Sequence, residues 1–215
     1  MCSGRIDLEF ILRAFANGQD GVFIGACRLG ECNYVTHGNY DTFGTVLLCR
    51  RIMRHIGIAP ERLHIAFMSA ADGNILAESI NGFVETVKKL GPLGQAENEQ
   101  ADDLAPRLQA VRRLVPYIKL VERERLRVPV KTREAYERFY TGAEFERLFD
   151  ELVADRLAVS RIMLLLRQKP LTTQELAAAL DLNPSEISGY MNGSSRQGLV
   201  RYDEGSKRYT LADVA

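Results

Sequence analysis

Apolar positions recur at helical spacing over residues 7–16, where Leu8, Phe10, Ile11, Leu12, Ala14 and Phe15 form one stripe before the stop signal Asn17-Gly18. The run Gly21-Val22-Phe23-Ile24-Gly25 is short and continuously apolar, the pattern of a buried parallel strand. Residues 42–57 predict a second amphipathic helix, with Val46, Leu47, Cys49, Ile52, Met53 and Ile56 on or near its apolar side. Leu63-His64-Ile65-Ala66-Phe67 alternates as a second strand, and residues 72–90 read as a third helix closed by Gly91-Pro92. Helix, strand, helix, strand, helix is the rhythm of a parallel α/β sheet with crossover helices. Two strands are too few to cover such a sheet's faces and edges. Either partner chains complete it, or the domain begins upstream of Met1.

The pattern changes after residue 92. Residues 94–100 are polar and read as a connector. Leu108, Val111, Leu114, Val115 and Ile118 then recur at helical spacing in a segment interrupted by Pro116, and residues 122–134 are densely charged, with Pro129 arguing for an extended connection. Residues 143–167 predict one strong helix through Phe145, Leu148, Phe149, Leu152, Val153, Leu157, Ile162, Leu165 and Leu166. Two short helices follow, one capped by Thr172 or Thr173 and one opened by Pro184 at the favoured first position. Two short strands, residues 198–202 and 208–211, then close a winged helix-turn-helix pattern. The expected organisation is therefore an α/β domain over residues 1–92, a charged helical linker over 93–142 and a winged helix-turn-helix domain over 143–215. The first domain is expected to be an incomplete flavodoxin-like or Rossmann-like parallel sheet.

Composition narrows the function classes. Lys plus Arg and Asp plus Glu both total 28 of 215 residues, so the basic excess of a general nucleic-acid or membrane-surface binder is missing. No apolar stretch is long enough to span a bilayer and MCSGRIDLEF has no signal-peptide core, which predicts a cytoplasmic chain with no membrane partner. No dinucleotide glycine fingerprint or Gly-x-x-x-x-Gly-Lys loop follows either strand, and Ser69 lacks a nucleophile elbow. No independent catalytic site is seen.

The candidate chemistry lies in the cysteines. Without an export signal, disulfides are disfavoured, and metal ligation, redox chemistry or burial remain open for Cys2, Cys27, Cys32 and Cys49. Cys27 and Cys32 share one loop just after the first strand, where ligands gather in open α/β sheets, and Gly25 and Gly30 let the backbone come close. Cys2, followed by Ser3-Gly4, brings a third sulfur to the same rim if it ends an adjacent strand. Soft thiolates there suit an iron–sulfur cluster or zinc; unconnected, inert thiols are the plainer alternative. Cys49, among Leu47, Leu48 and Ile52, reads as a core or interface thiol. Arg28 and Glu31 are expected to be solvated loop charges or partner contacts, and His37 a hydrogen-bonding residue.

The stretches CSGRID, DGVFIGACRLGECNYVTHGNY, IGIAPERLHIAFMSAADG and INGFVETVKKLGP together resemble the small iron–sulfur (delta) subunit family of methyl-viologen-reducing, non-F420-reducing hydrogenase. The resemblance covers residues 2 to about 92 and corresponds to the C-terminal two-thirds of that family. It implies a [2Fe–2S] cluster with Cys2, Cys27 and Cys32 as cofactor-binding ligands. The fourth ligand is then expected on a missing or partner segment, with Cys49 the weaker candidate. It also implies electron relay between a hydrogenase or formate dehydrogenase and a heterodisulfide-reductase-like flavin and iron–sulfur subunit.

The alternative function is a redox-sensing DNA-binding regulator using the winged helix. Its electrostatic footprint is thin. Over residues 171–215, Arg196, Arg201, Lys207 and Arg208 stand against Glu175, Asp181, Glu186, Asp203, Glu204 and Asp213, and residues 184–195 carry no Lys or Arg. DNA is the less expected partner.

Overall fold

The computed structural model describes residues 2–34, 36–99 and 101–212, apart from the side chains of Ala101 and Asp102. Met1, where the expected upstream extension would join, lies outside them. The chain divides into two compact units, residues 1–149 and 150–215.

The first unit is built around a parallel pair, β1 (Val22–Ala26) and β2 (Leu63–Phe67), in the register Val22↔Leu63 to Ala26↔Phe67. Side-chain alternation separates two faces. On one, α1 (Leu8–Ala16) and α2 (Asn39–His55) pack, and Phe43 meets Phe67 edge-on at 5.4 Å. On the other, Phe23 and His64 stack at 5.6 Å and both meet Phe83 of α3 (Gly73–Leu90). The connection from β1 through α2 to β2 is the crossover that the alternating pattern predicts. The core of this unit lies between the sheet and α2, where Val46, Leu48, Cys49, Ile52 and Met53 are fully buried.

Arg62 locks the far end of the sheet. Its fully buried guanidinium donates to the carbonyls of Asp20, Leu90, Gly91 and Pro92 and to both Glu97 carboxylate oxygens, so the end of α3 and the following turn are tied to the start of β2. The carbonyls of Leu90, Gly91 and Pro92, at and just past the end of α3, thus find a donor.

The helix α4 (Ala101–Arg125) corrects the expected interruption at Pro116: it runs through both Pro106 and Pro116. Proline removes a helix hydrogen bond, but Leu104, Leu108, Val111, Val115, Ile118 and Val121 are buried along one side and packing outweighs that loss. Arg112 pairs with Glu9 and Lys119 with Asp7, joining α4 to α1. A helix absent from the sequence expectation, α5 (Arg133–Tyr140), is capped by Thr132 and sets Tyr136 against Phe43 at 5.8 Å. The helix α6 (Ala143–Phe149) completes the unit, with Arg51 lying 4.0 Å from the Phe149 ring.

In the second unit a π-helical turn, Asp150–Ala154, precedes α7 (Asp155–Leu166). The helical run expected over residues 143–167 is helical throughout Ala143–Leu166, with its middle turn, Asp150–Ala154, in the π form. Next come α8 (Thr173–Leu180) and α9 (Pro184–Arg196), each opened by a capping box, Thr172 with Glu175 and Asn183 with Glu186. The strands β3 (Val200–Asp203) and β4 (Arg208–Leu211) form an antiparallel hairpin, and Leu171 bridges to Tyr209. Ile162, Leu166, Leu176, Leu180, Ile187, Met191 and Val200 share one core. This is a helix-turn-helix with a β-hairpin. No helix among the described residues is long and apolar enough to cross a membrane.

Candidate functional site: a cysteine cluster at the sheet rim

The carboxyl end of β1 delivers Cys27 into a loop that runs to α2. Cys2 reaches the same rim from the opposite direction, on the turn Ser3–Arg5 that packs against α2. The Cys2 and Cys32 sulfurs stand 3.7 Å apart. That is far beyond a disulfide bond of about 2.05 Å. It equals the edge of a tetrahedron of thiolates around one metal, roughly 3.8 Å for metal–sulfur bonds near 2.3 Å. Cys27 lies on the same rim, near enough for Cys32 and Cys2 to help raise its pKa. Among the described residues, however, no group of three His, Cys, Asp or Glu side chains surrounds a single metal-ion position.

Two glycines permit this meeting. A Cβ on Gly38 would lie 2.6 Å from Cys32 Sγ, and one on Gly4 would lie 2.8 Å from the His37 carbonyl and 2.9 Å from Gly38 Cα. A side chain on Gly4 would push the Cys2 turn off the loop that carries Cys32, and one on Gly38 would displace Cys32 and Tyr34 within that loop.

Asn39, the first residue of α2, holds the rim together. Its buried side-chain amide donates to the carbonyls of Cys27 and Arg28, both at 2.7 Å. Its backbone N–H, at the positive end of the 17-residue α2, points at Cys32. Burial works against the Cys32 thiolate, yet the N–H groups of Tyr34 and Asn39 and the thiols of Cys2 and Cys27 outweigh it and hold the group below its ordinary value. Cys27 moves the other way: burial, then the hydrogen bond and charge of Cys32, push it up. Gly4 donates its N–H to Cys2 Sγ at 3.3 Å. The hydroxyl of Ser3, the residue after Cys2, is buried without a hydrogen-bond partner among the described residues.

Of the four cysteines, three meet. Cys49 sits ten residues along α2 from Asn39, roughly 15 Å by helical rise, and is fully buried. Burial and the neighbouring Glu122 carboxylate push its thiol far up, so it behaves as an inert core group. His37 Nδ1 bonds to Asp41 at 3.0 Å. Arg28 is paired: one guanidinium nitrogen spans both oxygens of Asp72, at 2.7 and 2.6 Å, and Asp72 in turn accepts from the Ser69 N–H, tying the cysteine loop to the start of α3. Asn39, Gly38 and Asp72 escape sequence reasoning. Only the helix-start signal of a small polar residue after glycine hints at the first two.

Thiols near one another at the carboxyl rim of a parallel α/β pair, in a chain that also carries a helix-turn-helix unit, define a two-part protein with a cysteine cluster in its first part. Residues 1–91 match the family described as methyl-viologen-reducing hydrogenase, delta subunit, and the chain belongs to that family over this region. Residues 158–202 match the bacterial regulatory proteins of the arsR family. The iron-sulfur subunit of the F420-non-reducing hydrogenase of Archaeoglobus profundus is 42% identical over 91 residues, 42% of this chain and 66% of that protein. The vhu iron-sulfur subunit of the F420-non-reducing hydrogenase of Methanopyrus kandleri is 37% identical over 92 residues, 43% of this chain and 69% of that one. One subunit of the ferredoxin/F(420)H(2)-dependent CoB-CoM heterodisulfide reductase of Methanosarcina acetivorans is 39% identical over 94 residues, 44% of this chain. The matched stretch spans only 12% of the length of that reductase polypeptide.

Proposed function

We propose that this chain is an electron-transfer iron–sulfur subunit that relays electrons between a hydrogenase or formate dehydrogenase and a heterodisulfide-reductase-like flavoprotein. The observation that carries the reading is the 3.7 Å approach of Cys2 and Cys32, with Cys27 near enough for both to help raise its pKa, in a region that matches iron-sulfur subunits. Cys2, Cys27 and Cys32 would hold a [2Fe–2S] cluster, with the fourth ligand from another segment. A two-iron cluster divides its protein ligands between two metal centres, so its thiols meet in pairs rather than around one ion. When bound, the cluster supplies one-electron redox chemistry.

The chain's own residues do the rest. The amides of Tyr34, Asn39 and Gly4 stabilise negative charge on sulfur, and the Asn39 side chain fixes the Cys27 end of the loop. Asp72 neutralises Arg28, which limits that arginine's pull on the site and gives it a positioning role instead. Cys2, Cys27 and Cys32 are partly exposed, as a surface relay to neighbouring centres requires.

The test is electron passage in the intact complex purified anaerobically. Flavin on the reductase partner should be reduced by the donor enzyme only when this chain is present, and a Cys32→Ser chain should not support it. Equal flavin reduction without the chain would contradict the relay role.

A second reading rests on the arsR-family match: a redox-responsive regulator that docks α9 on DNA. Ser185 and Asn192 are exposed along that helix, while Ser188 is half-buried and donates to the Pro184 carbonyl. Arg208 is engaged by Glu175 and the Pro170 carbonyl, which removes one cation from the phosphate footprint. Affinity for duplex DNA falling steeply with salt would establish this reading; salt-insensitive or absent binding would end it.

A further inference from the structure

The connection between α4 and α5 is anchored at both ends. Leu126 is buried, and its carbonyl accepts from the Tyr140 hydroxyl at 3.5 Å. Thr132 caps α5, and the buried Tyr136 ring of that helix packs on Tyr40 and Phe43 of α2 at 5.4 and 5.8 Å. Gly44 makes room for this packing, since a Cβ there would lie 3.1 Å from the Tyr140 hydroxyl. Lys131, next to the Thr132 cap, is thereby held near the start of α2.

That placement carries the Lys131 ammonium to the cysteine loop. It donates to the Thr36 carbonyl at 2.8 Å and stands 3.8 Å from Asp41, whose carboxylate also bonds His37. Two residues further on, the Arg133 guanidinium lies 5.1 Å from the Phe67 ring and 5.6 Å from that of Phe43. Phe67 pairs in register with Ala26, the residue before Cys27. The connection therefore meets the rim at two points.

Thr36 opens the short segment on which the cysteine-bearing pieces rest. A Cβ on Gly4, two residues from Cys2, would lie 2.8 Å from the His37 carbonyl and 2.9 Å from Gly38 Cα, and one on Gly38 would lie 2.6 Å from Cys32 Sγ. Asn39 holds the Cys27 carbonyl. Residues 36–39 thus touch the carriers of all three thiols, and Lys131 fastens that segment from a part of the chain 95 positions away from Thr36.

We propose that Lys131 is a positioning residue of the cysteine site: its ammonium pins residues 36–39 and so sets how the loop presents Cys2 and Cys32. A charge-assisted bond to a backbone carbonyl is stronger than a neutral one, which suits a contact that must hold a loop. Residues 122–134 lie outside the matched stretch 1–91, and through Lys131 this charged segment serves the site as well as connecting α4 to α5. The positive charge also favours electron uptake by a centre held there, because reduction adds negative charge. That second effect rests on the electron-relay reading; the pinning does not.

Amide hydrogen exchange on the full, reduced and metal-free chain tests the pinning. The amides to follow are those of Asn39, which points at Cys32, and of Asp41 and Thr42, which donate to the Gly38 carbonyl. Lys131→Met is expected to speed their exchange about threefold or more, while β1, β2 and residues 46–55 keep the wild-type rate. Lys131→Arg retains a charged donor and is expected to restore slow exchange. Unchanged exchange in the Met variant, failure of the Arg variant to restore it, or a speed-up spread over the whole first unit would overturn the assignment. In the anaerobically purified complex, the midpoint potential of this chain's paramagnetic signal is expected to be lower with Met than with Arg at residue 131, and equal potentials would overturn the charge effect. A chain with no cluster signal but the expected exchange pattern would sink the relay reading and leave the pinning standing.

Discussion

The side-chain amide of Asn39 donates to the carbonyl oxygen of Cys27 at 2.7 Å, twelve positions back along the chain. The same residue presents its backbone N–H to Cys32. One asparagine at a helix start thus holds the two ends of the loop that carries the thiols. Asn39→Ala would leave two carbonyls without their donor, a loss of about 1–3 kcal/mol. Urea denaturation of the full chain should show that loss, and the thiols of residues 27 and 32 should alkylate faster in the folded variant.

Gly38 tests the close approach by sterics alone. Gly38→Ala places a methyl group 2.3 Å from the Tyr34 carbonyl and 2.6 Å from Cys32 Sγ, so the loop that carries the sulfur must shift. Iron retention should fall sharply, while the second unit, whose core is separate, keeps its own unfolding transition. Normal iron retention in this variant would show that the loops tolerate a wider separation.

Thiol reactivity should differ among the cysteines in the metal-free, reduced protein. Amide hydrogen bonds hold Cys32 below the usual thiol range, burial and Cys32 itself push Cys27 up, and Cys49 is pushed up further in the core. Iodoacetamide labelling followed across pH by mass spectrometry should therefore modify Cys32 at the lowest pH, Cys27 only at higher pH, and Cys49 only on unfolding. Because the folded-state value of Cys32 is depressed, its share of stability is present above the unfolded thiol's pKa and is lost as pH falls through the folded one.

The Arg62–Glu97 pair should be the most sensitive structural contact of the first unit. Both side chains are almost wholly buried, and Arg62 makes further bonds to four backbone carbonyls. Arg62→Met strands the Glu97 carboxylate, at a cost of about 3–5 kcal/mol. Burial would raise the Glu97 pKa, but the Arg62 and Ala59 hydrogen bonds lower it overall. Its contribution is thus present above the ordinary carboxylate range and lost as pH falls through the folded-state value. Acid titration monitored by circular dichroism should show the wild-type transition, with the variant already destabilised at neutral pH.

Strong local pattern made much of the fold legible. Val22–Ala26 is visible as a strand because its apolar run is short and bounded by turns, and Leu63–Phe67 because it alternates. Pro184 and the Thr172 cap announce the two short helices of the second unit. The helix Arg133–Tyr140 was hidden because Arg133, Glu134, Glu137 and Arg138 mask the two buried tyrosines, whose partners on α2 are distant in sequence. Pro116 misleads for a similar reason, since its local penalty is offset by tertiary burial of Val115 and Ile118. At the site, the residue types were legible and the contacts were not. Nothing local brings Cys2 to Cys32 across thirty positions; the small size of Gly4 and Gly38 and the reach of the Asn39 amide do.

The central claim is that Cys2, Cys27 and Cys32 ligate an iron–sulfur cluster. Its most direct measurement is iron and acid-labile sulfide content of the anaerobically purified complex, with electron paramagnetic resonance after one-electron reduction, for wild type and for Cys27→Ser and Cys32→Ser chains. The account predicts equal iron and sulfide attributable to this chain, a reduced [2Fe–2S] signal, and loss of both in each variant while the second unit stays folded. An unchanged cluster signal in both variants would contradict it.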